Sequence, residues 1–324
     1  MCIIQIVCVY LQPIRNKHIS MKKFVFLFFI VLLGFSARAQ QTFVYATRDT
    51  MQLKLDVYQP AHPRADKACV LYIFGGGFAS GERNNESSQK CCQMLADRGF
   101  VAVAMDYRLY FKHPAKVSLL TAYHLFDTAI TWAVEDCAEA VAFLWNHAAE
   151  LNLDPTKMVL TGSSAGAITV LQTDYSRANA LPVVEKLPKE FVPAAVIAYS
   201  GGIFCKNSQL EYATPPAPTF LNHGTIDKIV NYRRMPGSLS MSLFGSSRLA
   251  RHFDRKGYNY RIVRYEDRGH EVAAALTATI DEFCAFVEAV FAGKVMQYDA
   301  TCTDAFIQKT KWSDMDLFDL YFHK

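Results

Sequence analysis

Short apolar runs alternate with longer helix-like stretches along most of this chain. The predicted strands span residues 53–58, 69–74, 100–105, 157–161, 194–199, 217–221 and 260–265. The predicted helices span residues 86–98, 128–149, 164–177, 246–256 and 272–291. This alternation predicts an α/β fold with a mostly parallel central sheet and helices on both faces. Because ligands of such sheets bind beyond the carboxyl ends of the strands, residues that follow a strand are the first candidates for a site.

The sequence Gly-Ser-Ser-Ala-Gly at residues 162–166 matches the pattern G-x-S-x-G, and it stands between a predicted strand and a predicted helix. In that setting a serine on a sharp, strained turn acts as a nucleophile, and small neighbours let other backbone come close. Ser164 is therefore the candidate nucleophile, and Ser163 occupies the variable position. The alternative is an ordinary tight turn that carries a serine.

Residues 75–78, Gly-Gly-Gly-Phe, follow the strand predicted at 69–74. Backbone N–H groups at such a place stabilise the oxygen anion of a tetrahedral intermediate, and glycines let the backbone approach the substrate. We assign these oxyanion-hole donors to Gly76 and Gly77, with Ala165 as a third donor at the helix start. The alternatives are a flexible turn or a phosphate loop, but the Gly-Lys-Ser/Thr that a Walker-type phosphate loop requires does not follow.

An acid and a base follow two later strands. Asp227 ends the segment His-Gly-Thr-Ile-Asp, and His270 follows the last predicted strand. The chain order Ser164, Asp227, His270 is the order of nucleophile, acid and base expected on this kind of fold. We expect His270 to take the serine proton and Asp227 to orient the imidazole. The other histidine beside the acid, His223, is predicted to be structural.

Several segments together carry a family resemblance, namely residues 55–60 (Leu-Asp-Val-Tyr-Gln-Pro), 75–78, 106–109 (Asp-Tyr-Arg-Leu), 154–155 (Asp-Pro), 162–166, 223–227 and 269–270. Over residues 43–292 the chain resembles α/β-hydrolase-fold esterases of the hormone-sensitive-lipase and bacterial feruloyl-esterase-like (BD-FAE-like) kinds. The resemblance implies a catalytic triad of Ser164, Asp227 and His270. It also implies a carboxylesterase that hydrolyses small acyl or aryl esters, carbohydrate esters among them, through an acyl-enzyme and without a metal or cofactor.

Two features depart from the family pattern. Phe74 stands where the family usually has the histidine of a His-Gly-Gly-Gly segment, and that histidine braces the oxyanion loop rather than joining the triad. The stretch 110–126 carries additional aromatic and apolar residues. It is either part of a lid or substrate wall, or a surface loop with a short packed helix.

The first 39 residues have the layout of a leader. Lys22 and Lys23 precede an apolar run at 24–35, and Ala37-Arg38-Ala39 follows as a small-x-small cleavage pattern. This predicts a secretory signal peptide with Met21 as the true start and cleavage after Ala39, hence a secreted or periplasmic protein. The apolar run is too short for a membrane span. The domain then covers residues 40–297, with residues 298–324 as a C-terminal extension packed on it.

Removing the leader changes the charge balance. The leader holds five of the 34 basic residues and no acidic ones, which leaves 29 basic against 30 acidic residues and argues against nucleic acid as a partner. Its removal also leaves seven cysteines, predicted to be mostly buried apolar residues with at most one disulfide. No metal-binding motif is present. The sequence leaves the disulfide pairing and the oligomeric state open.

Two other functions remain alternatives to an esterase acting on a small ester substrate. One is a small serine peptidase or lipase, because amide and long-chain ester cleavage use the same triad. The other is a non-catalytic binding protein that retains the fold, since a fold does not dictate a function. The intact set of serine, acid and base argues against the latter, and Phe74 is the feature in its favour.

Overall fold

The computed structural model describes residues 40–112, 122–206, 209–236, 241–304 and 306–316. The strands are β1 (Gln41–Arg48), β2 (Met51–Tyr58), β3 (Cys69–Ile73), β4 (Val101–Met105), β5 (Met158–Ser163), β6 (Ala195–Tyr199), β7 (Gly202–Lys206), β8 (Thr219–Gly224), β9 (Arg234–Pro236), β10 (Met241–Gly245), β11 (Tyr260–Tyr265) and β12 (Gln297–Cys302). The α-helices are α1 (Glu86–Asp97), α2 (Ala122–Asn146), α3 (Ala165–Ala178), α4 (Ser246–Lys256) and α5 (Ile280–Phe291). The predicted leader lies outside the described residues.

The main sheet has nine strands in the order β1-β2-β4-β3-β5-β6-β8-β11-β12. Strand β2 is antiparallel to both of its neighbours, and the other pairs are parallel. The predicted α/β fold class with a mostly parallel central sheet is confirmed. The strands at its centre, such as β3 and β4, are buried along their whole length, as their continuous apolar sequences require.

The register of the sheet brings the carboxyl ends of four strands to one edge. Ser163 at the end of β5 pairs with Tyr199 at the end of β6, and Tyr199 pairs with Asn222 of β8. Gly224 at the end of β8 in turn pairs with Tyr265 at the end of β11. The segments that follow β5, β8 and β11 therefore leave the sheet side by side.

Two helices differ from their predicted bounds by more than one residue. Helix α2 begins at Ala122, six residues before the predicted start. The closing helix predicted at 272–291 is wrong as one element, because a 3-10 helix (His270–Ala278) precedes α5. Thr279 separates them with φ −121° and ψ 25°, outside the helical region. Its amide and hydroxyl both bond to the Ala275 carbonyl, which ends the first segment.

The end of the chain contributes to the sheet. Strand β12 pairs in parallel with β11, so the boundary predicted between residues 297 and 298 falls inside a strand. A short 3-10 helix, Lys311–Ser313, follows. The predicted lid or loop at 110–126 is described only in part, as a 3-10 helix at Tyr110–Lys112 and the start of α2, and residues 113–121 lie outside the described residues.

The cysteines behave as apolar residues. The seven in the described part of the chain are all free thiols, and five of them are buried. Burial raises the pKa of the Cys91 thiol to about 11, which keeps it protonated at neutral pH. Among the described residues no helix is both long enough and apolar enough to cross a membrane.

Candidate active site

Ser164 sits on the turn between β5 and α3. Its backbone has φ 52° and ψ −115°, a conformation that non-glycine residues rarely adopt. The surrounding structure holds it there, since its amide donates to the Tyr199 carbonyl at 2.9 Å. A β-carbon on Gly166 would lie 2.0 Å from the Ile73 carbonyl oxygen, and one on Gly162 would lie 2.4 Å from the Gly166 carbonyl carbon. Both glycines of the G-x-S-x-G pattern are therefore required by close backbone contact.

The structure brings the three predicted side chains into one hydrogen-bonded row. Ser164 Oγ lies 2.7 Å from His270 Nε2. His270 Nδ1 lies 2.8 Å from Asp227 Oδ2. A carboxylate only accepts, so Nδ1 carries a proton and Nε2 of the neutral ring accepts from the serine hydroxyl. This tautomer is the one that a general base facing a serine requires.

Asp227 is held as an anion although it is buried. Its Oδ1 accepts from the amides of Ile229 and Val230 at 2.9 and 3.0 Å. Burial acts to raise the pKa of Asp227, but the charge of His270 and hydrogen bonds from His223 and His270 outweigh it and lower the pKa well below its usual range. The acid is therefore ionised at any pH at which His270 works as a base.

The acid contacts a second histidine. His223, fully buried at the end of β8, has its Nε2 3.3 Å from Asp227 Oδ2 and 2.9 Å from the Val230 carbonyl oxygen. Its Nδ1 lies 2.7 Å from Ser246 Oγ. The residue predicted to be structural therefore lies against the same carboxylate oxygen that receives His270.

The glycine loop after β3 lies against Ser164. A β-carbon on Gly75 would stand 3.0 Å from the Ser163 carbonyl oxygen and 3.1 Å from Ser164 Cβ. The next two residues turn sharply, with φ 119° at Gly76 and 62° at Gly77, which glycine adopts without steric cost. The Gly76 carbonyl accepts from the amides of Ala79 and Ser80, which fixes the turn. Ala165, the third predicted donor, opens α3 directly after Ser164.

Aromatic packing braces this loop in place of the usual histidine. The Phe74 ring lies 4.6 Å from the Tyr107 ring, centroid to centroid. Tyr107 also donates its hydroxyl to the Phe74 carbonyl at 3.1 Å. Further along, the Phe111 amide donates to the Phe78 carbonyl at 2.9 Å. The bracing role of Tyr107 was missed from sequence, although the segment Asp-Tyr-Arg-Leu was among those that carried the resemblance.

Residues 306–316, here called the C-terminal strap, contact the loop after β8, which carries Asp227, and the loop after β11, which carries His270. Arg268 Nε donates to the Ile307 carbonyl at 2.7 Å, and Lys309 pairs with Asp267 at 2.6 Å. Lys228, next to the acid, forms a parallel bridge with Asp316. The sequence predicted packing for this segment but no link to the site, because its alternating acidic and apolar residues carry no catalytic signal.

A metal centre finds no support in the described part of the chain. It contains no cluster of three or more His, Cys, Asp and Glu side chains able to hold a metal ion.

Sequence comparisons relate part of the chain to known proteins. Residues 55–182 match the family model described as BD-FAE. Lipase 2 of Moraxella sp. (strain TA144) is 32% identical over 101 residues, which cover 31% of this chain and 20% of the lipase. A probable isoprenylcysteine alpha-carbonyl methylesterase of Arabidopsis thaliana is 28% identical over 133 residues, covering 41% of this chain and 24% of that protein. The matched segments thus span a fifth to a quarter of these relatives.

A solved structure shares the fold over most of the chain. A thermophilic esterase from the planctomycete Thermogutta terrifontis superposes with a TM-score of 0.57 at 24% identity, covering 79% of this chain and 93% of that one. Its propionate-bound form superposes with a TM-score of 0.55, covering 76% of this chain. At this level of identity the similarity establishes the fold.

Proposed function

We propose that this chain, an α/β-hydrolase-fold protein that resembles carboxylesterases of the BD-FAE type, is a serine carboxylesterase. Ser164 is the nucleophile, His270 the general base and Asp227 the acid that orients it. The observation that carries the proposal is the continuous row from Ser164 Oγ through the His270 ring to Asp227 Oδ2, with contacts of 2.7 and 2.8 Å. Such a row on a strained strand-to-helix turn is the arrangement of an activated serine.

The reaction proceeds in two halves. His270 Nε2 takes the proton of Ser164 as Oγ attacks the ester carbonyl carbon, and the same proton then passes to the departing alcohol. The products of this half are the free alcohol and an acyl group bonded to Ser164 Oγ. Water then attacks the acyl carbon with His270 again as base, which releases the acid and restores the serine.

The negative charge that forms on the carbonyl oxygen needs donors placed in advance. We assign the amides of Gly76, Gly77 and Ala165 to this oxyanion hole. Two features support the assignment, namely the position of Gly75 against Ser164 Cβ and the opening of α3 at Ala165. The partial positive charge at a helix N-terminus adds to the stabilisation. Each donor is worth about 3 kcal/mol of transition-state stabilisation.

The substrate class follows from the resemblance and from the leader. We infer small acyl or aryl esters, with esters on carbohydrates outside the cell as the natural candidates. A leader at residues 1–39 and export to the periplasm or medium belong to the same proposal. Expression with the native N-terminus and determination of the N-terminal residue of the exported protein tests it, and a mature chain that begins at Gln40 is expected. An unprocessed chain retained in the cytoplasm would contradict it.

The proposed activity is tested by hydrolysis of p-nitrophenyl acetate, butyrate and octanoate, with the purified protein and its Ser164→Ala variant. We expect hydrolysis that the variant loses, with rates highest for the short esters. The matched control is Ser163→Ala, which removes the neighbouring hydroxyl and should retain activity. Equal rates for the parent and Ser164→Ala would refute the esterase. A preference for octanoate would favour the lipase alternative.

A further inference from the structure

Two imidazole rings contact the same carboxylate oxygen of Asp227. His270 Nδ1 approaches Oδ2 at 2.8 Å and His223 Nε2 approaches the same oxygen at 3.3 Å. The mechanism above uses only the first contact. Resting on the proposed function, we propose that His223 is a positioning residue of this site, whose Nε2–H holds the Asp227 carboxylate in the orientation that receives His270.

The tautomer of His223 supports this role. Its Nε2 lies 2.9 Å from the Val230 carbonyl oxygen, which can only accept, so Nε2 carries a proton. Asp227 Oδ2 lies 3.3 Å from the same protonated nitrogen, so the carboxylate contacts the positive edge of the His223 ring. On the other side of the ring, Nδ1 lies 2.7 Å from Ser246 Oγ. A hydroxyl both donates and accepts, so Ser246 holds the ring whether or not Nδ1 is protonated.

Val230 links the histidine to the acid. Its carbonyl accepts from His223, and its amide donates to Asp227 Oδ1 at 3.0 Å. The two carboxylate oxygens of Asp227 are thus contacted from different directions. Backbone amides of the loop after β8 donate to Oδ1, and His223 lies against Oδ2. Without His223, His270 would be the one partner of Oδ2 among the described residues, and that partner must itself move charge during the reaction.

The arrangement is buried. His223 is completely inaccessible to solvent and Asp227 is 3% exposed, so protein groups rather than bulk water surround the carboxylate. In metal sites, removing a partner that orients a ligand side chain typically costs about 10- to 100-fold in activity, and we expect a loss of the same order here. His223 thus acts on the reaction through Asp227 and does not touch the substrate.

Two amide substitutions separate positioning from mere packing. In His223→Gln the side-chain N–H reaches the place of the imidazole Nε2 and still faces Asp227. In His223→Asn the shorter amide reaches only the place of Nδ1, on the side of Ser246. Both variants are polar, uncharged and smaller than histidine. They differ in whether a donor meets Oδ2, so each serves as the matched control for the other.

The test uses the full chain and two readouts. The first is kcat and KM for p-nitrophenyl acetate. The second is the rate at which a fluorophosphonate modifies Ser164, followed by intact mass, which measures nucleophile reactivity whatever the natural ester is. We expect His223→Asn to lose about 10- to 100-fold in kcat and in labelling rate at unchanged KM, and His223→Gln to recover most of both. Ser246→Ala removes the contact at Nδ1 but leaves His223 Nε2 in place, so it should lose less in both readouts than His223→Asn.

Several outcomes would overturn the inference. One is that the two His223 variants lose the same factor in kcat and in labelling rate; another is that neither loses any. A parent that hydrolyses no ester but is labelled rapidly, with His223→Gln well above His223→Asn, would refute the esterase and uphold the positioning role. A folded parent that the fluorophosphonate does not label would overturn both. If His223→Asn does not fold, a His223→Gln variant with a labelling rate as low as that of Ser164→Ala would overturn the role, and one near the parent would support it.

Discussion

Gly269 and Ser313 are in direct backbone contact, because a β-carbon on Gly269 would stand 2.7 Å from both the Cα and the carbonyl oxygen of Ser313. Gly269 immediately precedes His270, and its amide donates to Glu271 Oε1 at 2.9 Å. Ser313 belongs to the C-terminal strap and is 2% exposed. The position of the base thus depends on a segment more than forty residues further along the chain.

The first prediction concerns this contact. Gly269→Ala places a methyl group where the strap backbone lies, so either the strap or the loop after β11 must shift. We expect a loss of about 10²-fold in kcat/KM, the cost of displacing a catalytic group by about 1 Å, together with a lower melting temperature. Esterase assays and thermal unfolding of the purified variant measure both effects.

Gly293→Ala is the matched control. Gly293 follows α5 with φ 70°, and a β-carbon there meets nothing within 4 Å. Its substitution should cost only about 1 kcal/mol of stability from the left-handed backbone and leave the activity intact. Full activity in Gly269→Ala would show that the strap does not position His270.

The second prediction concerns the stability of the protein at low pH. Although burial opposes it, the charge of His270 and the two histidine hydrogen bonds hold the pKa of Asp227 below that of an unfolded aspartate. A group with a lowered folded-state pKa contributes stability above its unfolded pKa, about 3.9, and loses that contribution as the pH falls through the folded pKa. The free energy of unfolding of the parent should therefore fall more steeply below about pH 5 than that of Asp227→Asn.

Denaturant unfolding of both proteins at a series of pH values checks this. Asp136 and Asp174 titrate in the opposite sense, since burial raises the pKa of each, but they are common to both proteins and cancel in the difference. Parallel curves for the parent and Asp227→Asn would contradict the prediction.

The third prediction concerns Phe74. Phe74→His introduces the residue usual in the family that the chain resembles, but it buries an imidazole beside Tyr107, where the parent has ring packing. We expect a loss of about 1–3 kcal/mol of stability from the unmatched polar group and no gain in activity. Phe74→Leu, which stays apolar, should cost less than about 1.5 kcal/mol. A Phe74→His variant that is more stable or more active than the parent would show that the loop accepts a polar brace.

The sequence predicted those features of the structure that show in one short stretch of the chain. Ser164, Asp227 and His270 each follow a strand that shows in its own apolar run, so their meeting at one sheet edge followed from the fold class. The division of the closing helix at Thr279 was missed because 3-10 and α segments share much of their apolar spacing. The contact of Gly269 with Ser313 was missed because it joins distant parts of the chain, and neither residue has a distinctive neighbourhood.

The fourth prediction concerns the nucleophile's backbone. Ser164 has φ 52° and ψ −115°, a conformation that costs a non-glycine residue about 1–3 kcal/mol. Ser164→Gly should therefore be more stable than Ser164→Ala by about 1 kcal/mol, after allowing for the greater freedom of glycine in the unfolded chain. Both variants lack the nucleophile, so thermal or denaturant unfolding compares them without interference from activity.

At Ser163, which ends a strand and has no positive φ, the order should reverse. Ser163→Ala should be more stable than Ser163→Gly by about 0.5–1 kcal/mol. If alanine were the more stable substituent at both positions, the turn at Ser164 would not be strained.

The strained turn at Ser164 has a consequence for laboratory evolution, because selection for stability alone acts against the serine. A screen that rewards heat tolerance alone would favour glycine over alanine at position 164, and the proposed function predicts that neither clone hydrolyses esters. Libraries designed to raise the thermal stability of this protein therefore need an assay of ester hydrolysis in each round, or a fixed codon for Ser164. The same reasoning makes position 164 informative among natural sequences, because a serine maintained there against its own backbone preference marks a lineage still selected for chemistry.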